Sequence, residues 1–183
     1  MYEVELKVPA DVASVRSRLE AVGGAQTGAV IQSDTYYDAP HRSFPKTDEA
    51  LRIRTETDPE ASTETTRITY KGPLLEAESK SREEFETAVE DGETVDEIFT
   101  RLGFEPAATV RKEREHFSLE GYTITLDSVD DVGEYVEVET EVEREVDLEN
   151  ARRGAVDILE RLDLDPNEQI RTSYLELLLE ARS

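Results

Sequence analysis

Apolar and charged positions alternate through most of this chain. At its start Val4, Leu6 and Val8 alternate with Glu3, Glu5 and Lys7, which predicts a strand over residues 1–8 with one apolar and one charged face. A helix follows Pro9 and Asp11, carried by Val12, Val15, Leu19 and Val22 and stopped by Gly23 and Gly24. Period-2 patterning returns in "AVIQSDTYYD" (29–38), "LRIRTET" (from Leu51), "TTRITYKGP" (from Thr65) and "SREEFETAVE" (from Ser81). It continues in "ATVRKEREHFSL" (from Ala108), "YTITLDSV" (from Tyr122) and "EYVEVETEVE" (from Glu134). Between 39 and 50 two prolines predict a loop. Thr94 with Glu97 reads as a capping box before the stripe Val95, Ile98, Phe99, Leu102. Helical spacing also marks 148–162 and, beyond Pro166, "TSYLELLLEAR".

These elements predict an α+β domain over residues 1–183, with seven or eight mostly antiparallel strands and a few helices. "EVELKV" and "EEFETAV" are each followed by a helix, a glycine stop and further strands. That echo divides the chain into strand-helix-strands halves, about 1–80 and 81–183. A strand set of this size can close into a barrel, which removes its edges.

Charge changes the picture next. The chain has 183 residues, with 44 Asp and Glu against 21 Lys and Arg, a formal net charge of -23. Such a balance opposes binding to nucleic acid or to anionic membranes. Periodic apolar segments argue against a disordered acidic chain, so an acidic folded surface of the halophilic kind is expected. No cysteine is present, which removes disulfides, thiolate metal sites and a cysteine nucleophile. With no apolar run long enough to span a bilayer and no secretory pattern at the start, a cytoplasmic protein is expected.

Against that background the charged strand faces hold the candidate chemistry. Glu3/Glu5, Glu84/Glu86 and Glu137/Glu139 each place two carboxylates on one side of a strand, roughly 6–7 Å apart. Such pairs suit a hard cation such as Mg²⁺ or Mn²⁺. A chain this acidic also produces Glu-x-Glu by chance, and a solvated strand face is the ordinary reading of any one pair. Asp127 ends "TITLD", beside the strand carrying Glu137. Cations alternate in the same way: Lys7, Arg52 and Arg54, Lys71, and Lys112 and Arg114. Three of the chain's five lysines occupy such positions. They are either counterions to the acidic strands or ligands for a polyanion held through metal ions, as a linear triphosphate would be. No nucleophilic triad is evident, and His41 and His116 read as surface residues.

The motifs "EVELK" (Glu3–Lys7), "DTYYD" (Asp34–Asp38), "LRIR" (Leu51–Arg54), "TYKG" (Thr69–Gly72), "SREEFE" (Ser81–Glu86), "VRKERE" (Val110–Glu115) and "LDSVDDVGEYVEVE" (Leu126–Glu139) occur in that order. In this the chain resembles the CYTH superfamily, the triphosphate tunnel metalloenzymes. These include class IV adenylate cyclases, thiamine triphosphatases and inorganic triphosphatases. The resemblance implies a closed eight-stranded antiparallel β-barrel with surrounding helices and the charged strand faces inside.

It also implies Mg²⁺ or Mn²⁺ on Glu3, Glu5, Asp127, Glu137 and Glu139, and triphosphate contacts from Lys7, Arg52, Arg54, Lys71, Lys112 and Arg114. Glu3, Glu5, Lys7, Asp127 and Glu137 would carry catalysis. Glu84 and Glu86 would touch metal or fix neighbouring cations. The tail "SYLELL" (Ser173–Leu178) is similar to the cyclase-type branch, where a serine and a tyrosine close one tunnel end, so Tyr174 is an expected substrate contact. Dimers are common in that branch, and a homodimer is the assembly it suggests. The resemblance leaves three functions open. They are adenylate cyclase (ATP to cyclic AMP and pyrophosphate), triphosphatase on thiamine, inorganic or nucleoside triphosphate, and non-catalytic binding of polyphosphate or nucleotide.

Overall fold

A computed structural model of the chain describes residues 2–73 and 83–183, without the side chains of Tyr2 and Glu3. The start of the strand predicted from Ser81, and the predicted role of the Glu3 carboxylate, lie outside the described residues. Eight strands alternate with helices: β1 (Tyr2–Pro9), α1 (Val12–Ala21), β2 (Ala25–Asp38), α2 (Phe44–Thr47), β3 (Ala50–Asp58), β4 (Thr63–Lys71), β5 (Glu84–Val89), α3 (Gly92–Arg101), β6 (Glu105–Leu119), β7 (Tyr122–Val129), β8 (Gly133–Val142), α4 (Leu148–Arg161) and α5 (Tyr174–Ala181).

The strands form one sheet in the order β1-β8-β7-β6-β2-β3-β4-β5. The expected closure into a barrel is not found. Among the described residues β1 pairs only with β8 and β5 only with β4, so the hydrogen-bonded order stays open at both ends. Two compact units divide the chain: Met1–Val30 with Lys112–Ser183, and Ile31–Arg111. Each contains residues from both halves of the sequence echo.

In the first unit alternation separates the two faces of the sheet. Leu6, Val8, Phe117, Leu119, Ile124, Leu126, Val136 and Val138 point into one core with α1 and α4. Val12, Val15 and Leu19 of α1 and Ala155, Ile158 and Leu159 of α4 fill the other side of that core. Asp11 caps α1 by accepting from the Ser14 N–H at 3.1 Å. Gly23 ends it at φ 89°, a conformation that costs a β-carbon dearly. Each fully buried leucine or isoleucine contributes about 1.5–3 kcal/mol relative to exposure. With this core covered by helices, the charged residues are forced onto the opposite face.

The second unit packs Tyr37, Phe44, Leu51 and Ile53 against Ile68, Tyr70, Val95, Phe99 and Phe104. Tyr37 donates its hydroxyl to Asp96 and meets Phe99 edge-on, fixing α3 to the apolar face. The predicted capping box of α3 is displaced. Asp91 is the N-cap, accepting from both the N–H and the hydroxyl of Thr94, so Thr94 is the third helical residue. The aspartate begins the helix earlier because its carboxylate satisfies the first-turn donors. The loop predicted at 39–50 holds one short helical turn, α2, entered through Pro45.

Candidate active site

The charged face of the first unit is built by register. Glu5 lies opposite Glu139, and Lys7 opposite Glu137. Thr125 lies opposite Glu137, and Arg114 opposite Asp127. Glu5, Glu137 and Glu139 bring carboxylate oxygens within 4.8 Å of one another. Lys7, Lys112, Asp127 and Glu137 are 8 %, 5 %, 0 % and 7 % exposed. These groups are therefore not a wet strand face. Charges this buried need partners or ions to remain stable.

Asp127 is fully engaged. Its Oδ1 accepts from Arg114 Nε at 2.7 Å, and its Oδ2 from Arg114 Nη2 at 2.6 Å and from the Tyr174 hydroxyl at 2.7 Å. Arg114 Nη2 also donates to Glu137 at 3.2 Å. Asp127, expected with the metal-side carboxylates, thus lies outside the acidic trio and holds Arg114. Burial pushes the Arg114 guanidinium down, but the bonds from Asp127 and the charge of Glu137 outweigh it and keep it ionised. Burial pushes the Glu137 carboxyl up, and Asp127 and Glu5 add to this against Arg114 and Lys7. Burial, then Glu137 and Asp127, raise the Tyr174 hydroxyl well above its ordinary value, so it remains a donor.

A hard divalent cation fits this donor set. Three carboxylates converge, and two of them already press on each other electrostatically in a buried place. Hard divalent cations such as Mg²⁺ and Mn²⁺ favour oxygen ligands of this kind.

The second unit carries its own charged face. Asp34, 1 % exposed, accepts from Arg54 Nε at 2.6 Å and Nη2 at 2.7 Å. Arg52 Nη1 lies 3.8 Å from the same carboxylate. The buried Arg52 Nε has no hydrogen-bond partner, an orphan that calls for an explanation. Glu86 accepts from Arg67 and from the Thr69 hydroxyl, both at 2.9 Å. Lys71 pairs with Glu84 at 3.3 Å. Among the described residues, Glu84 and Glu86 therefore fix neighbouring cations.

Some of this was hidden in the sequence. Asp34 was visible only as part of "DTYYD"; its parity with Gln32 and Tyr36 on β2, opposite Arg54, is the signal that singles it out. The Thr172 carbonyl, which accepts from Lys7 Nζ at 2.9 Å, has no sequence signal, being a backbone atom. His116 is half-buried rather than on the surface. It shares the strand face of Arg114 with Nδ1 3.4 Å from the Thr125 hydroxyl. His41 stays exposed, edge-on to Phe104.

Each unit thus carries a charged sheet face on which carboxylates and cations lie side by side. The CYTH domain family model matches residues 1–174, and the chain belongs to that family. It is 35 % identical over 178 residues to "Putative adenylate cyclase MJ0240" of Methanocaldococcus jannaschii, covering 97 % of this chain and 98 % of the relative. The solved structure of the PH1819 protein from Pyrococcus horikoshii OT3 is similar with a TM-score of 0.83 and 38 % identity, over 98 % of this chain and 99 % of that one. HpAC1 of Hippeastrum, an adenylyl cyclase candidate with a dominant triphosphatase activity, shares the fold at TM-score 0.65 and 16 % identity, over 97 % and 94 % of the two chains. No described helix is long and apolar enough to cross a membrane.

Proposed function

We propose that this protein is a metal-dependent enzyme acting on a triphosphate, with adenylate cyclase, ATP to cyclic AMP and pyrophosphate, as its reaction. The observation that carries the reading is the acidic trio Glu5, Glu137 and Glu139, with Glu137 buried and the other two half-buried, on the same strand face as Lys7, Lys112 and Arg114. Pure anion binding needs cations alone, and the buried carboxylates are explained by an ion shared with the substrate. Relatives named as adenylate cyclases support the choice of reaction.

Glu5, Glu137 and Glu139 would hold Mg²⁺ or Mn²⁺, and the family resemblance adds Glu3 of β1 as a further proposed ligand. A divalent cation held there would supply Lewis-acid stabilisation of the phosphate charge. Lys7, Lys112 and Arg114 take phosphate oxygens through charge-assisted bonds, which are strong because the face is buried. Asp127 keeps the Nε edge of Arg114 occupied and turns the rest of the guanidinium toward the anion. On the second unit's own charged face Arg52, Arg54 and Lys71 are proposed as anion contacts, and an anion there gives the orphaned Arg52 Nε its explanation. In the cyclase reaction the ribose 3′-hydroxyl attacks the α-phosphorus, the bond to pyrophosphate breaks and the hydroxyl proton is released. The chain's part is positioning and electrostatics, which this chemistry permits without a protein nucleophile.

A triphosphatase is the second reading, favoured by the activity of HpAC1 on the same fold. There water attacks the terminal phosphorus, the bond to the bridging oxygen breaks, the diphosphate leaves and the attacked phosphorus becomes orthophosphate. Product identification separates the two. With Mn²⁺ and ATP, cyclic AMP plus pyrophosphate supports the cyclase. Orthophosphate from ATP, tripolyphosphate or thiamine triphosphate supports the hydrolase. Tight metal-dependent binding without turnover would make the protein a binding module.

A further inference from the structure

The residues before α5 reach across to β1. The Ile170 N–H donates to the Lys7 carbonyl at 2.9 Å, and Lys7 Nζ donates back to the Thr172 carbonyl at 2.9 Å. Ser173 and Glu176 form a capping box that fixes the first turn of α5, and Tyr174 is its first residue. From there Tyr174 lies against Lys7 and Lys112 and is linked through Asp127 to Arg114. Its hydroxyl donates to Asp127, which in turn holds Arg114. Its ring centroid lies 4.3 Å from Lys7 Nζ and 5.2 Å from Lys112 Nζ. Tyr135 tilts against it at 5.3 Å and backs the ring from β8.

We propose that Tyr174 is a positioning residue: its hydroxyl orients Arg114 through Asp127, and its ring face holds the ammonium groups of Lys7 and Lys112. This rests on the reading of those three cations as phosphate contacts. It gives Tyr174 a role other than the direct substrate contact implied by the resemblance. The physical ground is pre-organisation. A lysine side chain has four rotatable carbons and loses much freedom when it is fixed on a ligand. A desolvated ring face attracts both ammonium groups before any anion arrives, so part of the ordering cost is met in the free protein. The C-terminal segment is thereby a working part of the site.

The test uses two variants and the full chain. Tyr174→Phe keeps the ring and loses the donor; Tyr174→Leu loses both. Two signatures are read by NMR with no ligand present: solvent exchange of the Arg114 Nε–H, and the ring-current shift of the Lys7 and Lys112 ε-methylene protons. Tyr174→Phe should speed the Arg114 exchange about tenfold, the loss of one charge-assisted bond, and leave the lysine shifts in place. Tyr174→Leu should abolish the lysine shifts as well. Calorimetry of tripolyphosphate with Mn²⁺ should show affinity falling about tenfold for the first variant and about 100-fold for the second. Unchanged lysine shifts in Tyr174→Leu, or unchanged Arg114 exchange in Tyr174→Phe, would overturn the proposal. If the leucine variant does not fold, the phenylalanine variant decides alone. Wild-type protein that binds no tripolyphosphate would instead sink the phosphate reading, because the two spectroscopic signatures need no ligand.

Discussion

Arg114 and Asp127 sit opposite each other on neighbouring strands, and two guanidinium nitrogens donate to the two carboxylate oxygens at 2.7 and 2.6 Å. This bidentate pair lies in the interior, with Asp127 wholly removed from solvent. Asp127→Ala leaves a buried guanidinium without its main partner. The expected cost is about 3–5 kcal/mol, read from urea unfolding. Replacing both residues by apolar ones of similar volume should cost less than the single change, because neither member of the pair is left without the other, and Glu137 keeps Lys7 opposite it. A double variant less stable than the single one would contradict the pairing as described.

Gly154 of α4 is held small by Tyr122, whose hydroxyl donates to the Ala151 carbonyl at 2.9 Å. A β-carbon at 154 would lie 2.1 Å from that hydroxyl oxygen and 2.8 Å from the ring carbon bearing it. Alanine normally improves a helix interior by up to about 1 kcal/mol over glycine. Here Gly154→Ala should instead destabilise by about 1–3 kcal/mol through overpacking. Combining it with Tyr122→Ala should recover helix propensity at 154 while losing the tyrosine's packing. A stabilised Gly154→Ala protein would show that the ring does not press on α4.

Burial pushes the Glu86 carboxyl up, but bonds from Thr69 and Arg67 prevail and hold it below its ordinary value of 4.5. A carboxylate depressed in the folded state contributes stability that is fully present above that value. The contribution is lost as pH falls through the lower folded value. Glu86→Gln should therefore be less stable than wild type at neutral pH and lose less on acidification below about pH 4.5. Parallel stability curves for the two proteins through that range would show that Glu86 is not linked to folding.

Salt should stabilise the protein. Its net charge of -23 makes self-repulsion a real cost of the compact state. Raising KCl from about 0.01 M to about 1 M shortens the screening length from about 30 Å to about 3 Å. The thermal midpoint should rise across that range, and a constant or falling midpoint would rule out the acidic surface as a salt-tuned feature.

Much of the site was legible because the strand period is two. Once Leu6 and Val8 are buried by helices, Glu5 and Lys7 must share the other face, and the same logic places Arg114 and Glu137. What the pattern could not supply was pairing. Asp127 reads as one more carboxylate until the β6–β7 register sets it opposite Arg114, and Glu86 until β4 and β5 bring Thr69 opposite it. Lys7 and Thr172 are 165 residues apart, a contact that no local spacing encodes. The expected barrel closure depended on an edge-to-edge ladder between β1 and β5, and alternation within single strands cannot specify one. At α3, Thr94 with Glu97 matched a capping pattern, yet Asp91 offered the stronger acceptor three residues earlier.

The acidic trio is tested most directly by Mn²⁺ itself. Free Mn²⁺ gives a six-line electron paramagnetic resonance signal that is lost on binding, so a titration reads occupancy without any substrate or turnover. Wild-type protein should quench the signal, and Glu5→Gln, Glu137→Gln and Glu139→Gln should each weaken binding by more than the roughly 10–100-fold that outer-shell changes cost, while remaining folded. Equal quenching by wild type and all three variants would contradict the assignment of Glu5, Glu137 and Glu139 as the metal-holding residues.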